Sequence, residues 1–533
     1  MTSAMNVSLL LLLTFAVCGQ ADGFATKPSW RSGMENRLQA DDGSFRFEET
    51  TISDIQAAFN DGRLTSSQLV EYYLDQIRTL NPYLNAVIEV NPDALDDAAK
   101  ADFQRNAYSH LSPLHGIPVL VKDNINTHDK LNTTSGSFAL LGSVVPRDAG
   151  VIQRLRNAGA IILGKASMSE WDNFRALDAP QGWSPRGGQG QNPYSKAINP
   201  CGTSSGSAIA VAANLVTVSL ATDLDGAITC PAVVNSVVGI KPTVGLTSRS
   251  GMVPISPRLQ TIGPMARTVA DAVALLDVIM GFDPLDAEAT EAAEKFIPKG
   301  GFYKSLKEDG LKGKRIGILR HPYVDMYPIG SMEANTFAAN LQTMRLKGAI
   351  LVDNLEMKNR EIMENITLNG EIVSLLAEFK LSLNAYLDDL VSSPVRSLAD
   401  VIAFNNNHSI EEKINEYGQI VFLVSQKTNG IGLAEKEGIE TMAQLSKEGM
   451  EGLMKQKSLD AVLFPEHYAS NVMSLGAFPI ISVPAGYNST GEPLGISWFL
   501  LLDGLQGSDA ILIEIAYAFE QATQARIPPP TLV

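Results

Sequence analysis

The sequence has few of the residues that build metal centres and disulfide scaffolds. Its 533 residues include three cysteines, six histidines and four tryptophans. Three cysteines allow at most one intramolecular disulfide, which excludes a fold held by several disulfides. Basic residues are also scarce, because 42 Lys and Arg stand against 58 Asp and Glu and leave a formal net charge of −16. This balance argues against a protein that binds nucleic acid or anionic membranes through its overall charge.

Apolar runs long enough to suggest a membrane segment occur only at the N-terminus. The run VSLLLLLTFAV has the length of a signal-peptide core and falls short of the roughly 20 residues that span a bilayer. Small residues follow it in CGQADG. We therefore predict a signal peptide over residues 1–23, cleavage before Phe24, and a secreted protein without stable membrane insertion afterwards. N-glycosylation sequons, which agree weakly with this route, begin at Asn132, Asn365, Asn407 and Asn488.

The rest of the chain alternates between helical and strand-like patterns. Residues 24–50 are polar and unpatterned, which predicts a flexible arm, and helical periodicity begins near residue 51. The runs GIPVLVKDNIN and AFPIISVPAGYN are typical of buried strands, and TVADAVALLDVIMGFD is typical of an amphipathic helix. This alternation predicts an α/β domain over residues 51–533, with a mixed, mostly parallel sheet covered by helices. The charged region 284–458 is predicted to be a helical insertion or cap.

Three segments carry groups suited to acyl transfer. Lys122 closes the buried strand in HGIPVLVKDN, where loss of hydration favours the neutral amine, a potential base. The segment CGTSSGS supplies hydroxyl groups at the start of a helix. The turn in ATDLDGAITCPA supplies backbone N–H groups suited to holding an oxyanion. A base, a hydroxyl relay and an oxyanion loop are parts of an acyl-transfer site.

Two other interpretations of these segments are weaker. Residues 202–206, GTSSG, match the G-x-S-x-G motif of α/β-hydrolases, but the loop-like YSKAINPC before them does not supply the strand that this motif requires. A triad would also need a late histidine, for which His467 is the obvious candidate. The same run lacks the Gly-Lys-Ser/Thr of a phosphate-binding loop. Cys201 and Cys230 are predicted to be buried thiols that pack in the core.

The segments resemble the amidase signature family, most of all its peptide-amidase-like branch, from about residue 51 to the C-terminus. The resemblance rests on LHGIPVLVKDNINT, NPCGTSSGSAIAVAANL and the block beginning ATDLDGAITCPAVVNSVVGIKPTVGLTSR, in this order. It implies an amidase-signature α/β fold. It also implies hydrolysis of the C–N bond of a linear carboxamide, without a metal or an organic cofactor, on a small-molecule or peptide amide.

The family's catalytic set is a lysine base, a serine held in a cis peptide and a nucleophilic serine. The resemblance places the base at Lys122, the cis-serine position at Thr203 and the nucleophile position at Ala227. It places the oxyanion loop at Leu224, Asp225, Gly226 and Ala227. Thr203 keeps a hydroxyl, but Ala227 has no atom that can attack a carbonyl.

The alanine predicts an impaired amidase, because losing a nucleophile of this type lowers the rate by about 10⁴- to 10⁶-fold. Two functions of other classes remain open. One is a pseudo-amidase that binds an amide, a peptide or a partner without turnover. The other is a non-hydrolytic biosynthetic enzyme that uses Lys122 as its base. A surrogate nucleophile is a further alternative, with the candidates Cys201, Cys230, Ser204 and Ser205.

Overall fold

A computed structural model of the chain describes residues 45–108, 111–499 and 507–530. The predicted signal peptide and most of the predicted arm lie outside the described residues. The end of the arm is packed against the domain, since Phe47 stacks on Tyr72 with ring centroids 4.3 Å apart. Glu49 also forms an ion pair with Arg526 at 2.8 Å. The prediction of a flexible arm is therefore wrong for residues 46–50.

The strands and helices of the described residues alternate as the sequence predicts. The strands are β1 (Val87–Val90), β2 (Pro118–Lys122), β3 (Ile161–Ala166), β4 (Trp183–Ser184), β5 (Gly188–Gln189), β6 (Val218–Asp223), β7 (Val238–Lys241), β8 (Thr261–Ala266), β9 (Arg315–Ile318), β10 (Ile350–Val352), β11 (Ala461–Pro465), β12 (Ile480–Tyr487) and β13 (Pro493–Phe499). The helices are α1 (Ile52–Asn60), α2 (Ser66–Leu84), α3 (Ala94–Ala107), α4 (Gly150–Asn157), α5 (Ser205–Ala212), α6 (Thr229–Val234), α7 (Val269–Ile279), α8 (Ala287–Glu294), α9 (Met332–Leu346), α10 (Arg360–Met363), α11 (Glu371–Asp389), α12 (Leu398–Asn407), α13 (Ile414–Tyr417), α14 (Ile420–Gln426), α15 (Leu433–Ser446), α16 (Gly452–Lys457), α17 (Ser470–Ser474) and α18 (Asp509–Thr523). Within the described ranges, no helix is both long and apolar enough to cross a bilayer.

One large mixed sheet forms the centre of the fold. Its strand order is β1-β3-β2-β6-β8-β7-β12-β13-β11-β9-β10. Strand β2 is parallel to β3 and β6, and β9 is parallel to β10 and β11. The other neighbouring pairs are antiparallel. The predicted mixed α/β fold covered by helices is confirmed, with its parallel pairs collected in two blocks.

Helix α5 approaches the sheet closely because its first turn contains a glycine. A Cβ atom at Gly206 would lie 2.2 Å from the carbonyl oxygen of Ser167 and 2.6 Å from that of Ala86. The Gly206 amide instead donates a hydrogen bond to the Ser167 oxygen at 3.1 Å. The start of α5, and the loop that leads into it, are thereby held against the end of β3.

The region 284–458 is more than a helical insertion. It contributes β9 and β10 to one edge of the sheet, so the interpretation as helices alone is wrong for those strands. Both are very short, and such short runs give little periodic signal. The helices α11, α12 and α14 surround a buried apolar cluster that includes Phe379, Phe422 and Trp171, and the partly buried Leu224 packs against it. The helical layer therefore borders the predicted oxyanion loop.

We predict that this apolar cluster stabilises the helical layer. Phe379 is fully buried and lies 5.4 Å from the ring of Phe422 and 4.9 Å from that of Phe174, measured between centroids. Phe379→Ala should lower the free energy of unfolding by about 3–5 kcal/mol, because the cavity adds to the lost burial. Urea denaturation measures this change. The control Phe103→Ala, at a ring that is 74% exposed, should have almost no effect, and equal effects would contradict the prediction.

Candidate active site

The sheet brings the candidate base and the candidate oxyanion loop to the same edge. Lys122 is the last residue of β2, and Asp223 is the last residue of β6. These neighbouring strands are parallel, with Val121 opposite Leu220, so their carboxyl ends lie side by side. Ligand sites of α/β proteins form at this end of parallel strands.

Four oxygen atoms surround the amine of Lys122, whose side chain is completely buried. Lys122 Nζ lies 2.6 Å from Asp172 Oδ1, 2.7 Å from Thr203 Oγ1, 2.8 Å from Thr222 Oγ1 and 3.0 Å from Ser204 Oγ. The structure thus brings together Lys122 and Thr203, which are 81 positions apart in the sequence. Their contact gives a direct path for a proton between the hydroxyl and the amine.

Two opposing effects act on the protonation of Lys122. Burial lowers the pKa of its amine, because a charged group loses hydration there. The carboxylates of Asp172 and Asp223 oppose this shift, and the contact with Asp172 is the stronger of the two. The neutral amine accepts a proton and the ammonium only donates, so this balance decides whether Lys122 can act as a base.

Asp172, which sequence reasoning missed, reaches Lys122 from an unusual backbone segment. Trp171, Asp172 and Asn173 have φ values of 49°, 52° and 61°. Such left-handed conformations are unfavourable outside glycine, at about 1–3 kcal/mol each. The second carboxylate oxygen of Asp172 accepts a hydrogen bond from Asn124 Nδ2 at 2.9 Å. The segment SEWDNFRA has no motif or period that points to this contact.

The loop that carries Thr203 leads directly into α5. The amide of Ser169 donates a hydrogen bond to the carbonyl oxygen of Thr203 at 3.1 Å, and the hydroxyl of Ser204 donates to the carbonyl oxygen of Thr222 at 3.0 Å. The cis peptide that the family resemblance implies at Thr203 is absent. The one cis bond among the described residues joins His321 and Pro322.

Asp223 fixes the turn of the oxyanion loop. Its carboxylate accepts hydrogen bonds from the amide of Gly226 at 3.1 Å and from the amide of Ile228 at 2.5 Å. Gly226 has a φ of 80°, a conformation that favours glycine. Burial raises the pKa of Asp223, and Lys241 and the two amides oppose that shift. The turn is therefore shaped by a buried carboxylate and not by the side chain at position 227.

Three amides of this loop have no acceptor in the described part of the chain: those of Leu224, Asp225 and Ala227. The amide of Gly226 is already bonded to Asp223, so the predicted oxyanion loop offers three donors and not four. Ala227 is partly accessible, and a Cβ atom at Gly202 would lie 3.6 Å from its Cα. Position 227 therefore sits beside the Thr203 loop, next to free N–H groups.

Two acidic residues lie near the oxyanion loop. Asp225 has solvent-accessible surface. Loss of hydration in its surroundings, followed by the nearby Asp223 carboxylate, nevertheless raises the pKa of its carboxyl to about 6. Glu371, the first residue of α11, is buried, and burial together with Asp225 raises its pKa to about 8. Burial therefore favours the neutral form of Glu371, which limits the negative charge at this side of the site.

The two cysteines form a disulfide, so the prediction of free thiols is wrong. The Cα atoms of Cys201 and Cys230 are 5.6 Å apart, within the normal range for such bonds. The bond joins the Thr203 loop to α6, which follows Ala227. His467 lies beside it, with Nε2 3.9 Å from Cys201 Sγ, and burial lowers the pKa of His467 to about 4. This histidine is therefore a neighbour of the disulfide and not the partner of Ser204.

The surrogate nucleophiles considered from the sequence are all engaged or enclosed. Cys201 and Cys230 have no free thiol while the disulfide is intact. The Ser204 hydroxyl donates to Thr222 and accepts from Lys122. The Ser205 side chain is completely buried. None of the four presents a free nucleophilic atom beside the oxyanion loop.

The amidase family profile matches residues 68–473. The chain belongs to the amidase family. Among its relatives is a protein of Arabidopsis thaliana named as a probable amidase, 55% identical over 489 residues that cover 91% of this chain and 92% of the relative. The predicted family is thus confirmed, and both the family and this relative are named for amidase activity.

Solved structures of similar proteins agree with this assignment. The peptide amidase of Stenotrophomonas maltophilia superposes with a TM-score of 0.84 and 40% identity, covering 91% of this chain and 99% of that one. An amidase family protein of Bacillus anthracis gives the same TM-score with 33% identity, covering 91% and 93%. The amidase-signature α/β fold predicted from the sequence is therefore confirmed.

We predict that the disulfide stabilises the loops around position 227. It closes a segment with a sequence separation of 29 residues, for which the chain-entropy effect is about 3–4 kcal/mol. The double variant Cys201→Ser/Cys230→Ser should lose stability of this order in urea denaturation. Reductant should lower the stability of the unaltered protein equally and leave the double variant unchanged. Two free thiols in the folded, non-reduced protein would contradict the prediction.

Proposed function

We propose that the chain binds a linear carboxamide, from a small molecule or a peptide, and hydrolyses it slowly or not at all. The observation that carries this proposal is the arrangement around Ala227. Lys122 Nζ contacts the Thr203 hydroxyl at 2.7 Å, and the neighbouring turn offers the free amides of Leu224 and Ala227. A lysine amine, a relay hydroxyl and oxyanion donors are in place around a residue that cannot attack.

The chemistry that this arrangement supports follows from its contacts. With a hydroxyl at position 227, its proton would pass to Thr203 Oγ1 while Thr203 gives its own proton to neutral Lys122. The oxygen would form an ester with the acyl carbon, and the free amides would hold the oxyanion. Breaking of the C–N bond would release the amine, which takes the proton back from Lys122. Water would then hydrolyse the ester.

Ala227 removes the attacking oxygen and leaves the rest. In this proposal the free backbone amides, Lys122 and Thr203 bind the carboxamide, because none of them depends on the side chain at position 227. Binding without turnover is therefore the second candidate function. It is favoured by the absence of a free surrogate among Cys201, Cys230 and Ser204.

The first test restores the nucleophile. Ala227→Ser should raise amide hydrolysis by about 10³-fold or more over the unaltered chain, because nucleophile removal is among the costliest single changes in an enzyme. Release of amine or ammonia from a panel of linear amides and peptide amides measures the rate. Calorimetry with the same panel measures binding by the unaltered chain.

Two further variants serve as controls for this test. Lys122→Ala in the Ala227→Ser background should abolish the gain, because these residues act as a unit. Thr203→Ser in that background should add less, since only crowding and relay geometry change. An Ala227→Ser protein that folds and binds an amide but hydrolyses none would favour the binding function. Rapid turnover by the unaltered chain would instead reveal another nucleophile.

We also propose that the chain follows the secretory route. The apolar N-terminal run and a disulfide within the domain are typical of proteins that fold in an oxidising compartment. Two sequon asparagines, Asn365 and Asn407, are exposed. The other two are engaged, since Asn132 Nδ2 donates to Glu89 at 3.0 Å and Asn488 Nδ2 donates to Glu492 at 2.7 Å.

Expression of the full chain in a eukaryotic secretory host tests this route. The secreted protein should begin at Phe24 and carry glycans at Asn365 and Asn407, as N-terminal sequencing and glycosidase treatment would reveal. Asn365→Gln/Asn407→Gln should remove the mobility shift, whereas the matched control Asn132→Gln should leave it nearly unchanged. An intracellular protein that keeps Met1 and shows no shift would contradict the proposal.

A further inference from the structure

We infer that Asp172 is the counter-ion of Lys122 and favours its protonated form, so that Lys122 of the unaltered chain is mainly a hydrogen-bond donor at neutral pH and becomes a base only at higher pH. This inference rests on the proposed function, because it concerns the same site. It makes Asp172 a positioning residue that acts through Lys122.

The first argument is the number of acceptors around the amine. An ammonium group donates three hydrogen bonds and a neutral amine donates two. Asp172 Oδ1 lies 2.6 Å from Lys122 Nζ and is an acceptor only. The Ser204 hydroxyl already donates to a carbonyl, so its oxygen also faces the amine as an acceptor. These two contacts use both N–H groups of a neutral amine. An ammonium can donate its third N–H to Thr203 Oγ1 at 2.7 Å or Thr222 Oγ1 at 2.8 Å, whereas a neutral amine would have to accept from one of these two hydroxyls.

The second argument is that the local structure commits Asp172 to this contact. The residues on either side of its segment are anchored in the protein interior. Arg175 Nη1 pairs with Glu170 at 2.7 Å and donates to the carbonyl oxygen of Glu412 at 2.8 Å. Trp171 is fully buried in the apolar cluster. The unfavourable backbone between these anchors turns the carboxylate of Asp172 towards Lys122, so the ion pair is built into the loop.

The third argument is the distribution of charge around Lys122. The charged groups that face its amine are the carboxylates of Asp172 and Asp223. Asp223 is shared, because it interacts more strongly with Lys241 and accepts two backbone amides. Asp172 pairs with no other cationic side chain among the described residues. Asp172 is therefore the partner whose removal should change the protonation of Lys122 most.

The direct test is an NMR titration of the Lys122 side chain in the Ala227 protein, which requires no turnover. Selective ¹⁵N-lysine labelling resolves buried amines, and Lys122→Met assigns the signal. We expect Lys122 to be protonated at pH 7, and Asp172→Asn to move its midpoint down by about one to three pH units, the usual effect of losing a close opposite charge. Asp172→Glu, which keeps the charge, should restore most of the original midpoint.

Two results would overturn the inference. One is a neutral Lys122 at pH 7 in the unaltered protein, which needs no variant and so does not depend on whether Asp172→Asn folds. The other is a midpoint that stays within a few tenths of a pH unit in folded Asp172→Asn. A purely structural role for Asp172 predicts the second result, because a change in stability alone does not move the titration of one amine.

The activity arm uses the Ala227→Ser background. Adding Asp172→Asn should move the acidic limb of the pH–rate profile down by the shift found for Lys122, with up to about a tenfold gain for each pH unit below that limb. A limb that does not move would contradict the inference. If the Ala227→Ser protein is inactive but its Lys122 titration still depends on Asp172, only the hydrolase function is rejected. If that protein is active and its Lys122 titration does not depend on Asp172, only the inference about Asp172 is rejected.

Discussion

The need to satisfy one buried amine explains much of the arrangement of this site. Lys122 ends an interior strand, where an unpartnered charge would be strongly unfavourable. Its partners come from three separate segments: Asp172 from a strained turn, Thr203 from the loop before α5, and Thr222 from the end of β6. The parallel pairing of β2 and β6 brings Lys122 and the end of β6 that carries Thr222 to the same edge. Displacing any of them would leave polar atoms without partners inside the protein.

The candidate loops could be predicted from the sequence because their chemistry is local. Lys122 closes one apolar run, and Gly226 lies in the turn that follows a second apolar run. The order of residues therefore predicts where the strands end and the loops begin. The edge of the sheet at which they meet follows from the parallel pairing. The same reasoning identified the α/β fold, since alternating helix and strand patterns specify the layers of such a domain.

What the sequence could not reveal depends on contacts between distant segments. Asp172 lies 50 positions from Lys122, and its left-handed backbone is maintained by tertiary packing against the preference of the residue itself. Cys201 and Cys230 offered no spacing that favours a disulfide over two thiols, and their pairing depends on how two loops meet. The strands β9 and β10 are too short to show a period of two. Residues 46–50 look like an arm because their partners, such as Arg526, come from the other end of the chain.

The shape of the loop around position 227 does not depend on the side chain of Ala227. The turn is held by the Asp223 carboxylate through the amides of Gly226 and Ile228, and by the disulfide that begins α6. None of these contacts involves the side chain of residue 227, so exchanging a serine for an alanine there removes one oxygen and no structural bond. A buried Lys122 that pairs with Asp172 is likewise satisfied whether or not a nucleophile is present. The contacts that hold the loop are therefore separate from the side chain at which the family resemblance places the nucleophile.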